Sequence, residues 1–364
     1  MVGRLTVVGT GLIGASVGLA ARRAGARVAG WDPDPVALAA AVERGAVDEP
    51  AGSLAEALRG AELALVAAPI GVLPEQVKAV LAASAEETTV TDVGSTKEGV
   101  VAAAASSRFV GGHPICGSEA RGAENATAGI FEGATWFLTS TTETSPERYR
   151  LVHGFVAELG AVPSPIDAAV HDRLVALTSH MPHVLANVIV NQAGDARIEG
   201  HEPLASAGGS LRDMTRIAGA NPRVWLDIFL DNAPAVRDAL AEHRRRIEQV
   251  EAALDHADTN FLTQWIGEAA DNRRRMLERA YPDAQDLHEL RVHIADRPGA
   301  FAEVTQAFGA ERVNIEDFGM QHVSPELGGT LTLLVASEPE ARRMARVLEE
   351  LGYGVVVSAV LDEG

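Results

Sequence analysis

A chain of 364 residues, 47% hydrophobic and 22% charged, has material for two or three cored domains and the balance of a globular protein. Its formal net charge of −19 argues against nucleic acid as a partner and makes any anionic ligand depend on local arginines or helix N-termini. The single cysteine, Cys116, excludes an intrachain disulfide and a cysteine-rich metal site. With no secretory layout at the N-terminus and no apolar run of bilayer length, a cytoplasmic chain with no membrane partner and no metal is expected.

Arg4-Leu5-Thr6-Val7-Val8 is an apolar, β-branched strand. Gly9-Thr10-Gly11-Leu12-Ile13-Gly14 follows at once, then a helix over 15–24 that Gly25 stops. In that order these form a dinucleotide fingerprint: Gly9 permits the turn, Gly11 the approach of a pyrophosphate, Gly14 close packing of helix on strand. The helix N-terminus offers its N–H groups to the phosphates. A second strand, 27–31, ends at Asp32, placed to bind a ribose 2′-hydroxyl and to repel a 2′-phosphate, so NAD is expected rather than NADP. Strands over 62–67 and 88–91 continue the alternation, the first ending in Ala68-Pro69-Ile70 and the second in Asp92-Val93-Gly94-Ser95-Thr96-Lys97. This is a Rossmann-type doubly wound α/β sheet, in which ligands bind at the C-terminal strand ends. Ala68, Pro69 and Gly94 therefore join the cofactor-binding set. Ser95 reads two ways, as a hydrogen-bond partner for substrate or nicotinamide, or as the N-cap of a helix starting near Thr96.

Gly111-Gly112-His113-Pro114-Ile115-Cys116-Gly117-Ser118-Glu119 places a lone histidine after the short apolar segment Phe109-Val110. Pro114 fixes its own φ and pushes His113 out of the α region, so the imidazole leaves the end of a strand at a preset angle. Such a group either accepts a proton near neutral pH or merely ties down a loop. Trp136–Thr139 reads as the last strand of this domain, which is set at residues 1–145.

From 146 to 285 the pattern is helical: Leu151, Phe155 and Leu159 at helical spacing, an apolar stretch over 168–193, and charged-faced helices over 234–254 and 261–281. Long helices beside a dinucleotide domain pack on each other or on a second subunit, and ferredoxin-like units such as the tail over 286–364 commonly pair edge to edge; a homodimer is expected. Arg273-Arg274-Arg275 reads as a solvated face. Ser179-His180-Met181-Pro182-His183 sets two histidines on one helical face, with Pro182 opening the backbone bonding; no third ligand at helical spacing makes it a poor metal site. Gly209 lies at the start of a helix on which Asp213 and Arg216 are three apart. They form either a structural ion pair or an arginine fork, steadied by the aspartate, that grips a carboxylate.

Residues 286–364 alternate as βαββαβ, a ferredoxin-like unit: strand 290–294, the turn Asp296-Arg297-Pro298-Gly299, helix 300–308, strands 314–320 and 329–336, helix 338–351, strand 353–360.

Over 4–281 the chain resembles the prephenate/arogenate dehydrogenases of tyrosine biosynthesis. The resemblance is carried by the segments at 9–14, 92–97, 112–119, 179–183 and 213–217 (Asp213-Met214-Thr215-Arg216-Ile217), in that order. The tail, with Asp296-Arg297-Pro298-Gly299 and Asn314-Ile315, resembles an ACT domain, a module that binds an amino acid at a paired interface. The resemblance implies NAD-dependent oxidative decarboxylation of prephenate, or of its amino counterpart arogenate. His113 is then the base for the ring hydroxyl, Ser95 positions that hydroxyl, and Arg216, steadied by Asp213, grips a carboxylate. Ser179, His180 and His183 line the substrate pocket, and Ser118 and Glu119 sit near its mouth. Cys116 departs from the small residue expected there and raises the prospect of sensitivity to thiol reagents. Residues 296–299, 314 and 315 are the expected effector site, for tyrosine or another aromatic amino acid. Two competing readings are a β-hydroxy-acid dehydrogenase, which needs a lysine in the helical domain where none follows Lys97, and a non-catalytic amino-acid sensor.

Overall fold

The computed structural model describes residues 2–116, 120–280, 287–324 and 328–360. They divide into two compact units, residues 1–245 and 246–364.

The first unit begins with β1 (Arg4–Val8), α1 (Leu12–Arg23), β2 (Arg27–Trp31), α2 (Pro35–Glu43), β3 (Glu49–Pro50), α3 (Leu54–Ala57), β4 (Leu63–Val66) and α4 (Leu73–Ala83). It continues through β5 (Thr89–Asp92), α5 (Glu98–Ala104), β6 (Phe109–Pro114), β7 (Thr135–Thr139), α6 (Pro146–Glu158) and β8 (Val162–Pro165). These strands form one sheet in the order β3-β2-β1-β4-β5-β6-β7-β8, parallel except where β6 meets β7. The fully buried faces of β1, β4 and β5 explain their unbroken apolar and β-branched runs. The sheet passes the expected boundary at 145, because α6 returns the chain to lay β8 on β7. Pro163 and Pro165 hid this strand, since proline removes ladder donors; an edge strand tolerates that.

The strand order reverses between β1 and β4, the switch point at which doubly wound sheets open a ligand crevice. There Gly9 (φ +92°) ends β1 so close to β4 that a Cβ would lie 2.4 Å from the Ala67 carbonyl oxygen. On β6, a Cβ at Gly112 would lie 2.5 Å from the Asp92 carbonyl oxygen. Glycine is what lets the strand carrying His113 approach β5 there.

The helical part follows as α7 (Ala168–Val175), a π-turn over Ala176–His180, α8 (Met181–Asp195), α9 (Gly209–Thr215), α10 (Pro222–Asp231), α11 (Ala233–Asp255) and α12 (Thr259–Ala280). Pro182 has no N–H to continue the ladder, and the wide turn falls just before it. By length and composition Ala168–Asp195 is apolar enough to cross a membrane, contrary to the expectation that no run reaches that length. Its polar residues His171, Asp172 and His180 break the apolar pattern, and all three are buried within the protein.

In the second unit, β9 (His288–Ile294), α13 (Ala300–Glu311), β10 (Asp317–Ser324), β11 (Gly328–Val335), α14 (Glu338–Glu350) and β12 (Gly354–Ala359) form an antiparallel sheet in the order β10-β11-β9-β12. Leu290, Val292, Leu331 and Leu333 pack with Val304 and Phe308 of α13 and Met344 and Leu348 of α14 in one core. The expected boundary at 285/286 falls at the edge of 281–286, outside the described residues; the compact units instead part within α11, at 245/246.

Candidate active site

The crevice at the switch point suits a dinucleotide. No side chain caps α1, and no acidic residue sits in its first turn, so its N-terminal N–H groups are left open to an anion. A Cβ at Gly11 would meet nothing within 4 Å, whereas at Gly14 it would lie 2.0 Å from the Gly9 carbonyl oxygen. The first glycine leaves room for a pyrophosphate and the second seats the helix. Leu12 and Ile13 open that helix, and Ala68 and Pro69 follow β4 on the same sheet edge. Asp32 accepts hydrogen bonds from the Thr10 N–H (2.6 Å) and hydroxyl (3.2 Å) through Oδ2, and from the Asp34 N–H (2.9 Å) through Oδ1. Its carboxylate is thus fixed at the end of β2 with lone pairs left for a ribose hydroxyl.

Three strands away, Asp92 at the end of β5 is a buried hub. Its carboxylate accepts from the Gly94 N–H (2.8 Å), the Gly112 N–H (3.0 Å) and the Lys97 ammonium. Lys97, fully buried, also donates to the Gly112 carbonyl (2.8 Å). Burial pushes its pKa down, against the pull of Asp92 and the more distant carboxylates. Asp92 and Lys97 together clamp β6 one residue before His113.

His113 is half-buried at the end of β6, paired in register with Phe137 of β7. Its Nδ1 lies 2.9 Å from Nε2 of His171 on α7, and His171 Nδ1 lies 2.7 Å from Asp172 Oδ1. The Asp172 carboxylate accepts the Lys97 N–H and the Glu98 N–H, each at 2.8 Å. Burial acts to raise its pKa, but hydrogen bonds from His171, Glu98 and Lys97 prevail and the net shift is downward. The His113 pKa lies well below 6.5, chiefly through loss of hydration and further through His171, Lys97 and His180, so at pH 7 the ring is a neutral acceptor. His180 is pushed down to about 4, again chiefly by burial. Its Nδ1 lies 3.1 Å from the Asn232 amide nitrogen, which also donates to the Asp172 carbonyl (2.8 Å). His183 Nδ1 donates to the Ser179 carbonyl (3.1 Å) and stacks on Trp225 with ring centroids 3.4 Å apart.

The structure thus joins His113 and His180 through residues the sequence reading did not select: Asp92, Lys97, His171, Asp172 and Asn232. A signal existed in the His171-Asp172 pair, two polar residues that share the buried face of α7 with Val175. Ser95 lies in the loop before α5 but does not cap it; Lys97 holds the N-cap position, and Asp172 from α7 takes the first N–H groups. Gly94 donates to Asp92, as above. Gly209 opens α9, Asp213 lies on it, and Arg216 starts the following short turn; both charged residues are exposed, on a segment packed against α8. Ser118 and Glu119 lie outside the described residues. Burial pushes the Cys116 thiol up to about 11, so thiolate is scarce and the expected sensitivity to thiol reagents is not favoured.

A dinucleotide crevice at the switch point of this sheet, with a neutral imidazole at the end of β6, defines the class as a Rossmann-type oxidoreductase. Residues 17–164 match the family model described as prephenate dehydrogenase, nucleotide-binding domain, and 167–268 the model described as prephenate dehydrogenase, dimerization domain. A prephenate dehydrogenase of Bacillus subtilis is 29% identical over 355 residues, covering 95% of each chain, and a cyclohexadienyl dehydrogenase of Zymomonas mobilis 26% identical over 74% of this chain and 94% of its own. Among solved structures, Aquifex aeolicus prephenate dehydrogenase with hydroxyphenyl propionate and NAD+ superposes with TM-score 0.71 at 28% identity, covering 76% of this chain and 99% of that one. Synechocystis arogenate dehydrogenase gives 0.68 at 27%, over 75% and 99%. The chain belongs to the prephenate dehydrogenase family.

Proposed function

We propose that this chain is an NAD-dependent prephenate dehydrogenase, converting prephenate to 4-hydroxyphenylpyruvate and carbon dioxide. The observation that carries the reading is His113: a neutral acceptor, clamped by Asp92 and Lys97, at the strand edge that also bears the glycine-rich turn. Bound NAD supplies the hydride acceptor. His113 takes the proton of the C4 hydroxyl as hydride leaves C4. The bond from the ring to its carboxylate then breaks, its electron pair aromatises the ring, and the proton returns to the phenolate oxygen. No net proton is consumed.

Ser95 positions the hydroxyl. Arg216, steadied by Asp213, grips a substrate carboxylate, and Ser179, His180, His183 and Gly209 line the pocket that Ser118 and Glu119 border. Gly9 to Gly14, Asp32, Ala68, Pro69 and Gly94 hold the cofactor. Absorbance at 340 nm with prephenate or arogenate, and with NAD or NADP, tests the reading. Prephenate with NAD is expected to give the highest kcat/KM, and a clear preference for NADP refutes the role of Asp32. Arogenate is the second reading, favoured by the Synechocystis structure, which superposes almost as well.

The βαββαβ unit is read as an ACT-like, ferredoxin-like domain, on its strand order and its two helices sharing one core with the sheet. At its candidate effector turn, Arg297 pairs with Glu303 (2.5 Å), whose carboxylate also accepts the Tyr353 hydroxyl, and Gly299 (φ +90°) caps α13. Asp296 and Pro298 are exposed beside it; Asn314 donates to Glu316 (2.8 Å), and Ile315 packs on the core. Feedback by tyrosine or a related aromatic amino acid is proposed here, and titration calorimetry without heat for any of them leaves the unit an assembly module only. A homodimer is supported by the family description of 167–268, and a cytoplasmic location by the lone cysteine.

A further inference from the structure

His171 and Asp172 are not among the site residues the sequence pointed to, yet both are buried and hydrogen-bonded in series to His113. The series has a direction. Asp172 is an ionised carboxylate, an acceptor only, and three donors converge on it: the Lys97 N–H, the Glu98 N–H and His171 Nδ1. Facing an acceptor at 2.7 Å, His171 Nδ1 must carry a proton. A His171 ring that carries only this proton presents Nε2 as a lone pair, and His113 Nδ1, 2.9 Å away, is then the donor to it. The only acceptor left on the His113 ring is Nε2.

Packing holds the geometry. The His113 and His171 rings meet edge to face with centroids 5.1 Å apart, and Phe137, the strand partner of His113, meets His171 likewise at 5.4 Å. Asn232 fixes the Asp172 backbone from the other side through the Asp172 carbonyl.

We infer that His171 and Asp172 are positioning residues that lock His113 as its Nδ1–H tautomer, so that Nε2 is the atom that receives the substrate proton. The pair orients the base and does not itself carry the proton. A carboxylate fixing the tautomer of a catalytic histidine is a known device in hydrolases, where its loss is costly. Here an intervening imidazole extends the reach of the carboxylate from a helix to a strand. The inference rests on His113 being the base.

Multiple-bond proton–nitrogen NMR on the 15N-labelled chain with NAD bound tests it, with His113 assigned by its absence in His113→Asn. The expected spectrum shows His113 protonated at Nδ1 and His171 neutral. His171→Gln keeps an acceptor toward His113 and a donor toward Asp172 but holds no transferable proton; it should keep the His113 tautomer and a kcat within about threefold of wild type. His171→Leu offers no acceptor; it should mix the His113 tautomers and lower kcat about 10- to 100-fold, with KM and NAD affinity within about twofold. A wild-type spectrum with His113 protonated at Nε2 and His171 doubly protonated overturns the inference, as does a His171→Leu enzyme with full kcat. Failure of His171→Gln to rescue overturns the claim that the pair only orients. If His171→Leu does not fold, the wild-type spectrum decides alone. The spectrum needs no turnover, so a chain that shows the lock but leaves prephenate unchanged refutes the substrate reading and not the lock.

Discussion

His113 is hard to protonate, chiefly because its ring has lost its hydration. An imidazole that resists charging in its pocket is empty-handed at neutral pH and ready to accept. Its replacement by asparagine, which bonds but takes no proton, should lower kcat about 10²- to 10⁴-fold and leave NAD affinity unchanged; a full-rate His113→Asn enzyme ends the assignment. The pH profile follows from the sign of the shift. In the proposed role the active form is the deprotonated one and its pKa lies below 6.5, so kcat/KM should be level through pH 7 and fall only on the acid side of 6.5. A midpoint above 7 contradicts the burial of this ring. His180 adds a stability term of the same sign. Its folded pKa of about 4 lies below the unfolded 6.5, so the unfolded chain binds the extra proton between them. Stability is fully present above 6.5 and lost as pH falls toward 4, by about 3 kcal/mol from this group. Urea unfolding at pH 7 and 4.5 should show that slope, flattened in His180→Gln. Arg216→Ala should raise KM for the dianion at least tenfold with kcat less affected; an unchanged KM makes Arg216 a structural residue.

Between elements, the decisive contact is the buried pair that staples β5 to β6. Lys97→Met leaves the Asp92 carboxylate in the core without its cation, which should destabilise the chain by about 3–5 kcal/mol. Lys97→Met combined with Asp92→Asn should recover part of that loss, and a neutral single variant refutes the clamp. This scale also sets how far the chain could be read from its sequence. Periodicity and glycine spacing act over neighbours, so β1, the turn at 9–14, the strand bearing His113 and the long helices were legible. The partners of His113 were not. His171 lies 58 residues on, and Asp172 reaches back 75 residues to the Lys97 N–H. No local pattern says which polar residue on α7 will meet which strand end. Ser95 illustrates the cost: by local rules it is a good cap, and a carboxylate from a distant helix does that work instead. β8 was lost to its prolines, and β3, two residues long, leaves almost no pattern.

For the whole molecule the question is what covers the second unit's exposed apolar side chains. Ile247 and Leu254 on α11 and Trp265, Ile266 and Met276 on α12 are between 46% and 63% exposed, on helices otherwise rich in charge. Single exposed apolar residues need no explanation, but five on two consecutive helices leave an area that water solvates poorly. The dimerization model runs through residue 268 and so includes all of them but Met276. The homodimer proposed above would cover them; the net charge of −19 per chain opposes that association, so apolar contact at short range has to overcome the repulsion. Sedimentation equilibrium should therefore give twice the chain mass, and added salt, by screening the repulsion, should tighten the association. Ile266→Glu, which puts a carboxylate on an apolar contact, should weaken dimerisation at least tenfold while leaving the helical circular dichroism unchanged. A wild-type monomer at tens of micromolar, or an Ile266→Glu dimer as tight as wild type, moves the interface away from α12.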